Sequence, residues 1–252
     1  MSISLFPLLL GPVALLLVAY SPGNGTPDHT FGSGGVVTTP LNALLAGGDA
    51  STDKLYGLAL QPDGKIVVAG EAQYDANRYS AVVARYLETG ALDPAFARGG
   101  IGLGGLGERS TFHSVALERD GTIILGGGTG RFFASALLQR FSPDGVVGAG
   151  VRFQPRVPQG AQLYQTVITG LLPQPDGSVV LGSYAGDTTY VARFSADLGQ
   201  DLTFGAAPQG NVQIGSGPLI ALTQDAGHKI IATTAQFTPT GVEGERTVRL
   251  FP

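Results

Sequence analysis

The sequence predicts an all-β fold made of four copies of one four-stranded unit. Three observations predict it. An apolar segment interrupted by an Asp-Gly turn recurs along the chain, and an apolar run closing on arginine recurs in the same phase. Short runs of Val, Ile and Leu are also bounded by glycine throughout, and such runs read as strands.

The first landmark begins with Leu58-Ala59-Leu60-Gln61-Pro62-Asp63-Gly64-Lys65-Ile66-Val67-Val68-Ala69-Gly70. It returns around Asp120-Gly121 and Asp176-Gly177, and in altered form around Asp225-Ala226-Gly227, which reads as a turn with one residue inserted. The turn glycines are 57, 56 and 50 residues apart. The second landmark ends in Arg85, Arg140, Arg193 and Arg249, which are 55, 53 and 56 residues apart. A third, Asp-x-x-Phe, lies between copies at Asp28–Phe31, Asp93–Phe96 and Asp201–Phe204; only Phe153 remains of it in the third linker. A fixed period of this length marks a repeat architecture.

Each unit supplies four strands. Strand one is of the Tyr56–Gln61 type and strand two of the Lys65–Gly70 type, joined by the Asp-Gly turn. Glycine suits that turn because it takes positive φ without a Cβ clash. Strand three is of the Ser80–Tyr86 type, and strand four is short, like Gly35–Thr39. Four antiparallel strands in a unit of this length match a propeller blade. The predicted architecture is a β-propeller of four blades, with units at about 40–96, 97–153, 154–204 and 205–252. The last unit stops after strand three. The segment 28–39, carrying a strand-four element, is expected to complete that blade and close the ring, forming one domain over 26–252.

Residues 1–25 are read apart. Leu8-Leu9-Leu10 and Ala14–Ala19 form an apolar segment followed by turn-forming residues. This pattern is that of a secretory signal peptide. The other reading is an uncleaved membrane anchor, against which Gly11-Pro12 and the short length count. The expected address is secreted, periplasmic or cell-surface, with membrane contact only through this segment if it is retained.

Composition excludes several classes. The net charge is −4 and the chain has only three lysines, Lys54, Lys65 and Lys229. Nucleic-acid binding needs clustered cations, so no nucleic-acid partner is expected. There is no cysteine, which removes disulfides, thiol catalysis and cysteine-ligated metal. The 39 glycines coexist with 43% hydrophobic residues, which separates the chain from a disordered one.

The repeat copies resemble the delta-60 repeat of bacterial extracellular propeller-like proteins. The resemblance runs through the Leu-Gln-Pro-Asp-Gly-Lys-Ile-Val-Val-Ala-Gly stretch at 60–70, Ala84-Arg85-Tyr86, and Leu92–Phe96. It covers residues 28–252 and is strongest in the first two copies; the spacing is also similar to NHL-type propellers. It implies a fold and export, and no reaction.

Motifs of catalysis are sparse. Gly102-Leu103-Gly104-Gly105-Leu106-Gly107 fits G-x-G-x-x-G but leads into a strand, whereas a dinucleotide loop opens a helix. His29, His113 and His228 share no metal-ligand spacing, and His113 stands at the strand-one position of Tyr56. No metal, cofactor or catalytic residue is expected. Arg85, Arg140, Arg193 and Arg249 read either as an anion-binding ring or as structural partners of Asp63, Asp120, Asp176 and Asp225; recurrence in every unit favours the structural reading. Asp63-Gly64, Asp120-Gly121, Asp176-Gly177 and Asp225 with Gly227 are read as turn residues.

The segments between strands two and three vary most: Glu71–Tyr79, Thr129–Phe133, Tyr184–Thr189 and Ala235–Arg246. They bring Tyr74, Arg78, Arg131, Phe132, Tyr184 and Asp187 to one face. Those residues are either ligand-binding groups or solvated connections. The expected function is a non-catalytic binding or structural module with a protein or carbohydrate partner. The alternatives are a propeller hydrolase or lactonase acting on a saccharide-like substrate, and a piece of a longer or dimeric array.

Overall fold

A computed structural model describes residues 2–5, 15–21, 23–40, 53–75, 78–106, 109–130, 133–155, 165–205, 210–238 and 241–250. The chain is all-β. The described residues form five antiparallel sheets, each a simple up-and-down run of consecutive strands.

The first sheet holds β1 (Ser2–Leu5), β2 (Leu15–Tyr20) and β3 (Val36–Thr39). The second holds β4 (Lys54–Leu60), β5 (Ile66–Asp75), β6 (Arg78–Tyr86) and β7 (Ile101–Gly104). The third holds β8 (Ser110–Leu117), β9 (Ile123–Thr129), β10 (Ser135–Phe141) and β11 (Val147–Phe153). The fourth holds β12 (Val167–Pro173), β13 (Val179–Ala185), β14 (Thr188–Phe194) and β15 (Asn211–Ser216). The fifth holds β16 (Leu219–Gln224), β17 (Ile230–Thr238) and β18 (Gly241–Leu250).

The sheets stack face to face, which explains why the strands lack polar alternation. Along β5, Ile66 and Val68 meet Leu17, Ala19 and Phe31 of the first sheet and its linker. The intervening Val67 and Ala69 point the other way, onto Phe112, Ile123, Leu125 and Phe141. All four β5 residues are buried. Ile124 and Leu138 repeat the pattern against Ile168, Val179 and Leu181, and Val180 and Val191 against Ile230 and Ala232. Burying both faces of a middle strand requires a continuous apolar run. The first strands lie side by side: β8 packs on β4 and β12, and β12 on β16. These are the relations of consecutive propeller blades, with first strands innermost.

The N-terminal arrangement departs from the expected ring closure. β3 was expected to extend the last blade. It pairs instead with β2, matching Val36 to Val18 and Thr39 to Leu15. Among the described residues, β18 pairs with β17 alone, and no ladder joins the first sheet to the last. The four-by-four plan therefore holds for the three central sheets, flanked by two of three strands. The cause lies in the apolar run Leu15–Tyr20, which supplies β3 with a nearer partner. Asp28 N donates to Ala19 O, just as Asp93 N donates to Arg85 O and Asp201 N to Arg193 O. Residues 15–39 are thus the second half of a further repeat, with Ala19 at the arginine position.

The turns bear out the glycine reading three times and correct it once. Gly64, Gly121 and Gly177 have φ of 82°, 86° and 79°. In the fourth unit the left-handed position falls on His228, φ 62°, rather than on Gly227. Asp225 N bonds Lys229 O as Gln61 N bonds Lys65 O, so there is no insertion. Asp225 is the counterpart of Gln61, and Gly227 of Asp63.

Candidate functional site

Each innermost strand breaks its ladder once, at the same place. The register skips between Leu55 and Gly57, between Phe112 and Ser114, between Ile168 and Gly170, and between Leu219 and Ala221. The residues set out of the ladder are Tyr56, His113, Thr169 and Ile220. A bulge re-aims one side chain and raises the local twist. Opposite it, the second strand has little room. A Cβ on Gly70 would lie 2.0 Å from Lys54 O, and one on Gly127 1.8 Å from Thr111 O. Glycine at these two positions is what lets the bulged strands approach.

The four bulge residues form a row across β4, β8, β12 and β16, and their chemistry changes from unit to unit. Tyr56 and His113 touch, their rings stacked 4.0 Å apart and 8° from parallel. Phe133 stands edge-on to His113 at 6.4 Å, and Tyr79 lies 6.0 Å from Phe133. Tyr56 remains 38% exposed. Its hydroxyl donates to Glu71 Oε1 at 3.4 Å, and Lys54 Nζ lies 3.1 Å from the same oxygen. Glu71 is buried, whereas the Lys54 side chain is half exposed. The Ile220 end of the row is exposed.

Charge is arranged sparingly here. Burial, with a smaller push from Lys54, lowers the His113 pKa from 6.5 to about 4, so the ring is neutral at physiological pH. Burial and the Glu71 carboxylate both push the Tyr56 phenol well above its usual range. His113 Nε2 and Thr169 Oγ1 are buried with no hydrogen-bond partner in the protein. Buried polar atoms are normally paired; Thr111, Thr166 and Ser183, off the bulge positions, also keep an unpaired buried hydroxyl. Among the described residues, no group of three His, Asp or Glu could hold a metal ion.

None of the described residues expected from the sequence is one of the four bulge residues. Glu71–Tyr79 is largely a hairpin, since β5 and β6 extend until Asp75 pairs with Arg78. The backbones of Tyr74 and Arg78 belong to that ladder. Arg131 and Phe132 lie outside the described residues. Tyr184 pairs with Val167 on the first strand of its sheet, as Glu71 pairs with Lys54, so it marks the same level one unit further on than His113. Asp187 is exposed at the tip of the β13–β14 hairpin, where its carbonyl accepts from Gly217 N at 2.6 Å. Repeat spacing does not single out Tyr56, Glu71 or Lys54 as binding residues, and it makes His113 a substituted repeat position. The available signal was that the residue four before each strand-one Leu-Gln or Leu-Glu differs in chemistry: Tyr56 precedes Leu60-Gln61, and His113 precedes Leu117-Glu118.

Each of the four arginines pairs with a carboxylate, Arg249 with the expected Asp225 and the other three with partners other than those expected. Arg85 Nε binds Asp93 Oδ2 at 2.9 Å, and Arg193 Nε binds Asp201 Oδ2 at 2.8 Å. Their guanidinium groups also cover the Phe96 and Phe204 rings at 4.6 and 5.2 Å. Arg140 pairs with Glu118, and Arg249 with Asp225 at 3.4 Å. Asp63, Asp120 and Asp176 instead accept from the backbone N–H two residues on, fixing their own turns.

Residues 61–96 match a β-propeller family. Its description is a β-propeller domain of unknown function, DUF5122. No curated protein matches the chain. Among solved structures, it is similar to a catalytically inactive virginiamycin B lyase from Staphylococcus aureus with quinupristin. The identity is 12%, the match covers 79% of this chain and 56% of that one, and the TM-score is 0.41. A glucose dehydrogenase has 13% identity over 79% of this chain and 65% of its own, with a TM-score of 0.46. A protein from Lactobacillus plantarum has 11% identity over 94% of this chain and 67% of its own, with a TM-score of 0.45. The chain spans under two thirds of the length of the lyase and the dehydrogenase. At this distance the likenesses say nothing of ligand or activity.

Proposed function

We propose that this chain is a non-catalytic binding module whose ligand seats on the bulge row Tyr56–His113–Thr169–Ile220. One observation carries the reading. The bulge recurs at one level in four units, while the residue it presents changes each time from aromatic to hydroxyl to aliphatic. A purely architectural position would keep its chemistry, as the arginine does across the same four units.

Among the described residues the row has one carboxylate in contact with it, Glu71, already engaged by Lys54 and Tyr56. Glycoside hydrolysis generally needs a pair of carboxylates flanking the bond, and that supports binding over turnover. Tyr184, paired with Val167 two residues before the Thr169 bulge, and Asp187 at the tip of the same hairpin would extend the surface there. The extracellular address rests on the apolar N-terminal run and on the delta-60 resemblance. β2 gives the same residues a second use, so sequencing the mature N-terminus decides between them: a start between Tyr20 and Asp28 supports export by cleavage, and retention of Met1 opposes it.

A panel of hydrolase and lactonase substrates, with and without divalent metal, tests the non-catalytic claim. The expected result is no turnover above that of a Glu71→Gln, His113→Gln double variant. Turnover lost in that variant would make the row an active site.

A further inference from the structure

The chemistry of the row narrows the class of ligand. We infer that it takes a neutral saccharide, one pyranose ring lying on Tyr56 with its hydroxyls meeting Lys54 and Glu71. The inference rests on the row being a binding site.

Charge makes the first selection. Lys54 Nζ and Glu71 Oε1 are 3.1 Å apart and cancel one another. A cationic ligand would meet Lys54 and an anionic one Glu71, and either would have to break the pair. His113 is neutral. The site therefore suits a ligand without net charge.

Shape and hydrogen bonding make the second. Tyr56 is a partly open aromatic surface backed by His113, whose other neighbour is Phe133. Such a surface favours a ligand with one flat apolar face. Beside it stand an ammonium donor and a carboxylate acceptor. A hydroxyl both donates and accepts. Adjacent hydroxyls on a ring with an apolar C–H face satisfy all of these at once. An amino acid or a quaternary ammonium satisfies only part of them. Along the row, Thr169 and the exposed Ile220 continue the line of bulges over two further strands. That extent suits an oligosaccharide rather than one sugar.

The test is calorimetric titration with neutral hexasaccharides of glucose, mannose and galactose, with choline and a galacturonate hexamer as charged controls. The expected result is binding of at least one neutral hexasaccharide and of neither control. Tyr56→Leu should weaken it about tenfold, the scale of one aromatic contact. Tyr56→Phe keeps the ring and should stay within about threefold of the parent. Glu71→Gln, which leaves Lys54 uncompensated, should admit the galacturonate hexamer. Both leucine and phenylalanine variants should melt with the parent. Absence of binding by all neutral hexasaccharides overturns the saccharide inference. Choline or galacturonate binding that is lost in Tyr56→Leu overturns it too, while leaving the row as a site. Saccharide binding indifferent to both Tyr56→Leu and Glu71→Gln overturns the row itself.

Discussion

Arg140 Nη2 donates to Glu118 Oε1 at 2.9 Å, where Arg85 in the preceding unit uses Asp93 of the linker. The carboxylate has moved within the repeat. Units with an Asp-x-x-Phe linker have Gln61 or Gln174 before the turn; the unit without one has Glu118 there. Arg249 with Asp225 follows the second arrangement. In each unit the guanidinium keeps one carboxylate, from one side or the other. Arg140 also donates to Gly177 O at 2.8 Å and to Ala196 O, and Arg85 to Pro143 O, so the arginines tie consecutive sheets together.

Glu118→Gln should therefore destabilise the fold by about 2 kcal/mol, the usual loss when a largely buried charged hydrogen bond is broken. Gln61→Glu should gain little, because Arg85 already has Asp93. A double-mutant cycle of Glu118→Gln with Arg140→Met, read by urea unfolding, should show coupling well above that of an exposed pair. Additive effects would detach Arg140 from Glu118.

The fourth turn is strained where the others are not. His228 holds a left-handed φ that glycine occupies in the other three units. A side chain there costs about 1 kcal/mol. His228→Gly should raise the melting temperature by about 2–4 °C, and Gly64→His should lower it. Calorimetry of both variants checks the pair.

His113 makes stability depend on pH. Its folded pKa of about 4 lies below the ordinary 6.5. Between these values the unfolded chain binds a proton that the folded chain excludes, so stability falls as pH drops through that window. The groups facing the ring are Tyr56, Phe133 and the Lys54 ammonium. His113→Gln should flatten the slope between about pH 6.5 and pH 4 in urea melts. Further loss below about pH 4 should persist in the variant, since Asp201 is held near 2 by the Thr203 hydroxyl and by Arg193 and gives up that contribution only in strong acid. An unchanged slope in His113→Gln would mean that the ring is accessible to protons.

Leu17 and Ala19 of β2 are buried against the second sheet. In the chain that keeps its N-terminus, Leu17→Asn should cost about 2–4 kcal/mol, combining lost burial with a buried amide. A change under about 0.5 kcal/mol would mean that β2 does not belong to the folded protein.

The sequence makes the repeat legible because each unit needs the same few residues for backbone reasons. Gly64, Gly121 and Gly177 are dictated by positive φ, and Phe96 and Phe204 by a buried slot under an arginine. The pairing of β3 is not legible, since its apolar residues would suit either β2 or β18; only the competition between the two edges decides. The arginine partners are obscured because Asp63, Asp120 and Asp176 bond their own turns, which spacing alone does not reveal. The bulge row is hidden for another reason. A bulge shifts register without changing composition, so Tyr56 and His113 read as ordinary strand residues until the ladder is seen to skip them.

Two histidines lie at opposite ends of the innermost strands and report on which end binds. His113 is on the bulge row, and His228 is in the fourth tight turn. Titrating the protein with the neutral hexasaccharides while following the histidine ring protons by NMR bears most directly on the central claim. The account predicts that the His113 signals move with saturation while those of His228 stay fixed. Movement at His228 with His113 unchanged would place the ligand at the turn end and contradict it.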